Sequence, residues 1–161
     1  MLSGNSTNYA GRTVDLLVLK TVLSAPVYRK RVDLDVEKNP MIVTGVEKLA
    51  QMYTLVFLTE VGTCHADSGR GTSIVSDVEK GKVYDDASLT ASAAAANALA
   101  RRQVRSAAEE DTPKDERLAD SQVTGISLDK NNATARISVR LTTEAGTALD
   151  YIIPVGIGVR S

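Results

Sequence analysis

The chain has 161 residues, 43% of them apolar, with one Phe, no Trp and a net charge of -1. That length fits one domain with an aliphatic core, and the near-neutral charge speaks against general affinity for nucleic acid. A single cysteine, Cys64, rules out an internal disulfide framework and suits a reducing compartment.

Residues 1–12 are rich in Ser, Asn and Gly and read as a flexible arm. They lack the basic-then-apolar layout of a signal peptide, and no run approaches the roughly 18 apolar residues of a membrane span. No membrane and no nucleic-acid partner is therefore expected, and synthesis in the cytoplasm is. Val14–Leu23 is an apolar run that suits a strand or a short helix. In Val27–Glu37, Tyr28, Val32, Leu34 and Val36 alternate with Arg29, Arg31, Asp33 and Asp35, as in a strand or extended arm. Residues 1–39 are thus expected to form an N-terminal extension outside the compact core, with 40–161 as the domain.

Asn39 and Pro40 read as the cap and first turn of a helix. Ile42, Val46, Leu49, Ala50, Tyr53, Val56 and Phe57 keep its apolar spacing, and Gly62 marks its stop. A polar loop spans Thr63–Thr72, and Ile74–Gly81 reads as a short helix or turn. Asp86 is expected to cap a long alanine-rich helix reaching about Glu110. Its small stripe of Leu89, Ala93, Ala96, Ala100, Val104 and Ala107 allows close packing, and Pro113 ends it.

The last third reads as a meander. Val123 lies on one parity and Ile126 and Leu128 on the other, so a bulge is expected at Gly125. In Ala133–Thr143, the apolar positions Ala135, Ile137, Val139 and Leu141 alternate with polar ones. Leu149, Tyr151, Ile153, Val155 and Ile157 do the same in Thr147–Ile157. Tight turns are expected at 129–132 and 144–146. Pro154 cannot donate to a ladder, so the last strand is expected at an edge, where another chain can add a strand.

Candidate chemistry is sparse. Cys64, His65 and Asp67 are the one cluster resembling a metal or nucleophile site, but a zinc site needs three or four protein ligands. Adjacent Cys and His also cannot easily face each other as a catalytic pair. Ser68–Thr72 lacks the Lys-Ser/Thr ending of a phosphate loop. Arg101, Arg102 and Arg105 form a basic patch at a helix end, diluted by Glu109, Glu110 and Asp111. The acidic pairs Asp85/Asp86 and Glu109/Glu110 sit at helix ends, with nothing that places them across a cleft. No catalytic, cofactor-binding or metal-binding residue is assigned.

Two segments in fixed order carry a resemblance. One is Tyr53–Thr63 (YTLVFLTEVGT) followed by Gly69-Arg70-Gly71-Thr72. The other is Asp115-Glu116-Arg117-Leu118-Ala119 followed by the meander with Leu141-Thr142-Thr143-Glu144-Ala145-Gly146. This order resembles the lysozyme-like baseplate wedge family, the T4-type sheath initiators of contractile phage tails, over about residues 40–157. Arg117 matches the Arg of that family's acidic-Pro-Arg motif. Glu116 replaces the proline, and Thr63 stands where an acidic residue is common.

The resemblance implies an α+β fold: two main helices packed on a small antiparallel β-meander, with an extended N-terminal arm. It implies a non-enzymatic virion protein of the tail baseplate, assembled in the host cytoplasm, that starts the sheath by accepting strands from the first sheath ring. Its implied partners are the tail sheath protein, other baseplate wedge proteins and tail tube proteins, in a symmetric assembly of about six copies. Asp115, Glu116, Arg117, Ile137, Val139, Leu141, Tyr151, Ile153 and Val155 are the expected protein-interaction residues. The rival readings are another phage tail or neck component, a part of a contractile injection system, or a peptidoglycan-cleaving enzyme.

Overall fold

The computed structural model describes residues 43–129 and 134–156, together with the strand backbone of 15–16, 19–24, 29–34 and 42. Its elements are β1 (Asp15–Leu16), β2 (Leu19–Ser24), β3 (Arg29–Leu34), β4 (Ile42–Val43), α1 (Gly45–Leu58), α2 (Ile74–Glu79), α3 (Asp86–Ser106), β5 (Leu118–Asp129), β6 (Thr134–Thr143) and β7 (Ala148–Gly156). This is an α+β fold, with helices packed on one face of an antiparallel meander.

The meander forms as its alternation dictates. Along β6 the buried residues are Ala135, Ile137, Val139, Leu141 and Thr143, every second position. The first four stand opposite Val155, Ile153, Tyr151 and Leu149, and the Thr143 amide donates across the turn to the Thr147 carbonyl at 2.9 Å. The expected bulge is present: the β5–β6 register shifts between Val123 and Gly125. That one extra residue puts Val123, opposite Val139, and Ile126, opposite Ile137, on the same face despite their opposite parity. The turn at 144–146 is closed by Gly146 at φ 85; most of the turn at 129–132 lies outside the described residues.

Helix α1 begins at Gly45, later than the expected start; Asn39 and Pro40 lie outside the described residues. Ile42 belongs to β4, which pairs antiparallel with β1. The helix then buries Leu49, Tyr53, Val56 and Phe57. It ends at Leu58, before Gly62, where the Thr59 hydroxyl and amide both donate to the Leu55 carbonyl at 2.6 and 3.0 Å. Helix α3 is capped by Asp85, one residue before the expected cap. Its carboxylate accepts from the Ser88 amide at 2.8 Å, and the Ser88 hydroxyl accepts from the Asp85 amide at 3.0 Å. The helix stops at Ser106, short of Glu110. Leu89, Ala93, Ala96, Ala100 and Val104 are buried along it, and Ala107 is exposed.

A polar seam joins the layers. Tyr53 Oη donates to Asn97 Oδ1 at 2.5 Å, and Ser121 Oγ donates to the same oxygen at 2.7 Å. Thr54 Oγ1 reaches Tyr151 Oη at 3.2 Å. Burial pushes both tyrosine hydroxyls well above their ordinary pKa. No buried side-chain nitrogen or oxygen among the described residues lacks a partner.

Five strands form one sheet in the order β2-β3-β7-β6-β5. Strand β7 is therefore interior: β6 lies on one side and β3 on the other, in parallel, with Arg31 opposite Ile152. The expectation of an edge at Pro154 is corrected. Hairpin β2–β3 covers that side, and a proline is tolerated because the contact with β3 is a single register pair. The two outer strands of this sheet are β2 and β5.

Candidate functional site

Residues singled out by sequence fall into three groups in the structure. The first is the loop after α1. Residues 61–70 are exposed apart from the half-buried Cys64. Among the described residues no three His, Cys, Asp or Glu side chains gather as a metal site. Gly71 and Thr72 have a packing role. Gly71 adopts φ +111, and a Cβ there would lie 2.3 Å from the Thr59 carbonyl oxygen. The Gln103 side chain clamps its backbone at both ends: the Gly71 amide donates to Oε1 at 2.8 Å, and Nε2 donates to the Gly71 carbonyl at 2.9 Å. Thr72 Oγ1 donates to the Phe57 carbonyl at 2.6 Å. The Gly-Thr pair thus fastens the loop between α1 and α3.

The second group is Asp115-Glu116-Arg117. Glu116 is buried, 3% exposed, and bridges to the start of α1. Its Oε1 accepts from the Gly45 amide at 3.2 Å and its Oε2 from Lys48 Nζ at 3.1 Å. Thr44, the N-cap of α1, makes no side-chain cap bond; a carboxylate 71 residues away occupies the positive end of the helix instead. Gly45 sits at φ +63, and a Cβ there would lie 3.2 Å from Asp115 Oδ2, so glycine suits this junction. Arg117 holds the loop that follows α3. Its Nε donates to the Thr112 carbonyl at 2.7 Å, its Nη2 to the Glu110 carbonyl, and its Nη1 lies 3.8 Å from Glu144 Oε2. The Glu144 amide donates back to the Arg117 carbonyl at 3.0 Å. The motif is an internal clamp between helix, loop and meander turn. Glu116 in particular is turned inward and not toward a partner.

The third group is the apolar meander face. Ile137, Val139, Leu141 and Ile153 are 0% exposed, Val155 is 3% and Tyr151 is 4%. The expectation that these six form a docking platform is corrected: α1 and α3 already cover that face, and the residues are the core. The opposite face is polar. Arg140 grips Asp150 across β6 and β7 with two 2.8 Å bonds, in an exposed pair.

Among the described residues β5 is one of the two outer strands of the sheet, and its outer edge has two unlike halves. Helix α3 runs antiparallel to β5 and seals the first half with side chains spaced four apart. Asn97 Nδ2 donates to the Ser121 carbonyl at 3.1 Å, Arg101 Nη1 bonds Asp120 Oδ1 at 3.1 Å, and Arg105 Nε donates to the Leu118 carbonyl at 3.2 Å. From Gln122 to Asp129 no such bond to α3 is made, and among the described residues no strand lies outside β5 in the sheet. In line with Asn97 on the same helix face stand Ala94 and Thr90, both exposed and too short to reach the strand. Beside them Val123, Ile126 and Leu128 are only half-buried, although their cross-strand mates Val139, Ile137 and Ala135 are 0% exposed. The open half has lost one neighbour on its apolar face.

The sequence reading passed over Asn97 and Gln103, and gave Arg101 and Arg105 no partner. The available signal was the 97-101-105 spacing, a polar line on an alanine helix running beside the small-residue stripe. Comparison with protein-family models, curated proteins and solved structures finds no match to this chain.

Proposed function

We propose that this protein is a structural subunit of a contractile phage tail baseplate that starts the sheath by accepting an extended strand from a sheath subunit. The observation that carries this reading is the open half of β5. Residues 122–129 present a strand edge beside half-buried apolar side chains, within a helix-and-meander order that resembles that of sheath initiators. Added strands bind by main-chain hydrogen bonds, with alternate side chains giving specificity. Here those alternate side chains would cover Val123, Ile126 and Leu128. The acceptor is thus an edge, while the buried meander face serves as the rigid support behind it. Arg117 and its neighbours serve the same role by fixing the start of β5.

In this reading several copies stand in a symmetric ring, with other wedge and tube proteins as neighbours, and the chain performs no hydrolysis. The test is co-expression with the sheath and baseplate proteins of a contractile tail, followed by electron microscopy. Sheath tubes that start on this subunit support the reading, and their start should fail when Ile126 is changed to Lys in a chain that still folds. Sheath assembly unaffected by that change, or peptidoglycan cleavage by the purified chain, would overturn it.

A further inference from the structure

We infer that the residues ahead of Asp15 form a strap along the outer side of α1, with Tyr9 seated on Leu55 and Arg12 beside Glu47. This inference is independent of the baseplate reading.

Helix α1 has a seam that faces away from α3. Glu47, Gln51, Leu55 and Leu58 follow one another at steps of four, four and three, so they share one side of the helix. Residues two apart on a helix point in nearly opposite directions. Tyr53 is buried and reaches Asn97 of α3, so Gln51 and Leu55, two positions to either side of it, turn away from that helix. Gln51 is nonetheless 2% exposed, whereas Leu55, one turn further on, is 40% exposed. The seam is covered at its middle and open beyond. Val61, just past the helix end, is exposed as well.

Connectivity shows which segment is placed to cover it. Strand β1 pairs antiparallel with β4, with Asp15 opposite Val43 and Leu16 opposite Ile42. From the Asp15–Val43 end of this ladder the chain goes on into α1 at Gly45. The residues ahead of Asp15 reach the ladder at that same end. Segments 17–18 and 35–41 join it at the other end. The sequence holds 14 residues ahead of Asp15, and in extended form they span up to about 46 Å. The 14 residues of α1 are about 21 Å long, so the strap can run past the whole helix.

The residue types agree with this path. From Val43 to the level of Leu55 is about 20 Å, which about six extended residues span. The sixth residue back from Asp15 is Tyr9, whose apolar ring and polar tip suit a partly exposed leucine. Arg12 carries the one charged side chain of residues 1–14 and falls level with the first turns of α1, where Glu47 is exposed. Residues 3–8 are Ser, Gly, Asn and Thr, which need no burial. A strap held by one aromatic contact and one surface ion pair can be lifted by a partner that fills the same seam better.

The test is disulfide trapping in the full chain, in a Cys64→Ser background. Leu55 and Ala95 are both exposed, so a cysteine at either leaves the core intact. Tyr9→Cys with Leu55→Cys should form an intramolecular disulfide under mild oxidation at least tenfold faster than Tyr9→Cys with Ala95→Cys on α3. Adding Arg12→Glu should slow the first reaction at least threefold, and adding Glu47→Arg to that chain should restore it. Equal rates for the two cysteine pairs, or a disulfide that joins two chains, would overturn the inference. So would a rate indifferent to Arg12→Glu.

Discussion

The two halves of β5 belong to one strand and share one partner, β6, yet they face the outside in opposite ways. In Leu118–Ser121 the outer carbonyls are taken by Asn97 and Arg105, and Asp120 is held by Arg101. In Gln122–Asp129 the adjacent helix residues are Thr90 and Ala94, and nothing from α3 reaches across. The difference follows side-chain length along one helix face, with the bulge at Val123–Gly125 falling just inside the open half. It teaches that a helix packed beside a sheet can close a strand edge or leave it open, turn by turn.

The comparison can be broken hardest from beneath. Val139 is fully buried opposite Val123, at the centre of the core behind the strand. Val139→Asp places an unpaired charge in the core and is expected to cost more than about 4 kcal/mol, which would leave no cooperative melt. Circular dichroism of the purified variant checks this.

Next comes the clamp that sets where β5 begins. Glu116→Ala removes the acceptor for the Gly45 amide and for Lys48, and is expected to cost about 2–3 kcal/mol in urea unfolding. Glu116→Gln should cost less, because its amide oxygen still accepts from Gly45. Equal losses for the two variants would contradict the capping role.

A sharper contrast follows from the seal. Asn97→Ala strips Tyr53 Oη, Ser121 Oγ and the Ser121 carbonyl of one shared partner, with an expected loss of about 1–3 kcal/mol. Ala94→Arg, one turn earlier on the same face, should change stability by less than about 0.5 kcal/mol. If the two variants melt alike, the division of the edge is wrong.

The smallest effect is on the polar face. The hydrogen bonds from Arg140 hold the Asp150 carboxyl below its ordinary value of 3.8. A carboxyl with a depressed folded pKa adds stability above its unfolded value and loses it as pH falls through the folded one. Wild-type melting temperature should therefore fall slightly more than that of Asp150→Asn when the pH is lowered below about 4. No difference between the two melts would mean that this exposed pair contributes nothing.

Much of this fold was readable in the residues because it follows from short periods. Alternation placed Ile137, Val139, Ile153 and Val155 on one face, the break at Gly125 marked the bulge, and the 89-93-96-100-104 spacing drew the buried stripe of α3. What was not readable depends on contacts between distant positions. Nothing near Gly45 announces that its cap comes from Glu116, and the apolar meander looked exposed because sequence cannot say which face α1 and α3 cover. The edge at Pro154 was misplaced for the same reason: proline only removes a donor, and strand order is set by where hairpin β2–β3 returns.

The account rests on the open half of β5 as the place where another chain adds a strand. Amide hydrogen exchange on the dilute full chain, alone and with a contractile tail's sheath subunit, tests this most directly. The account predicts that the amides of 122–129 that point away from β6 exchange freely alone and become protected with the subunit, while those that point toward β6 are slow in both states. Protection that appears only on other strands, or none at all, would contradict it.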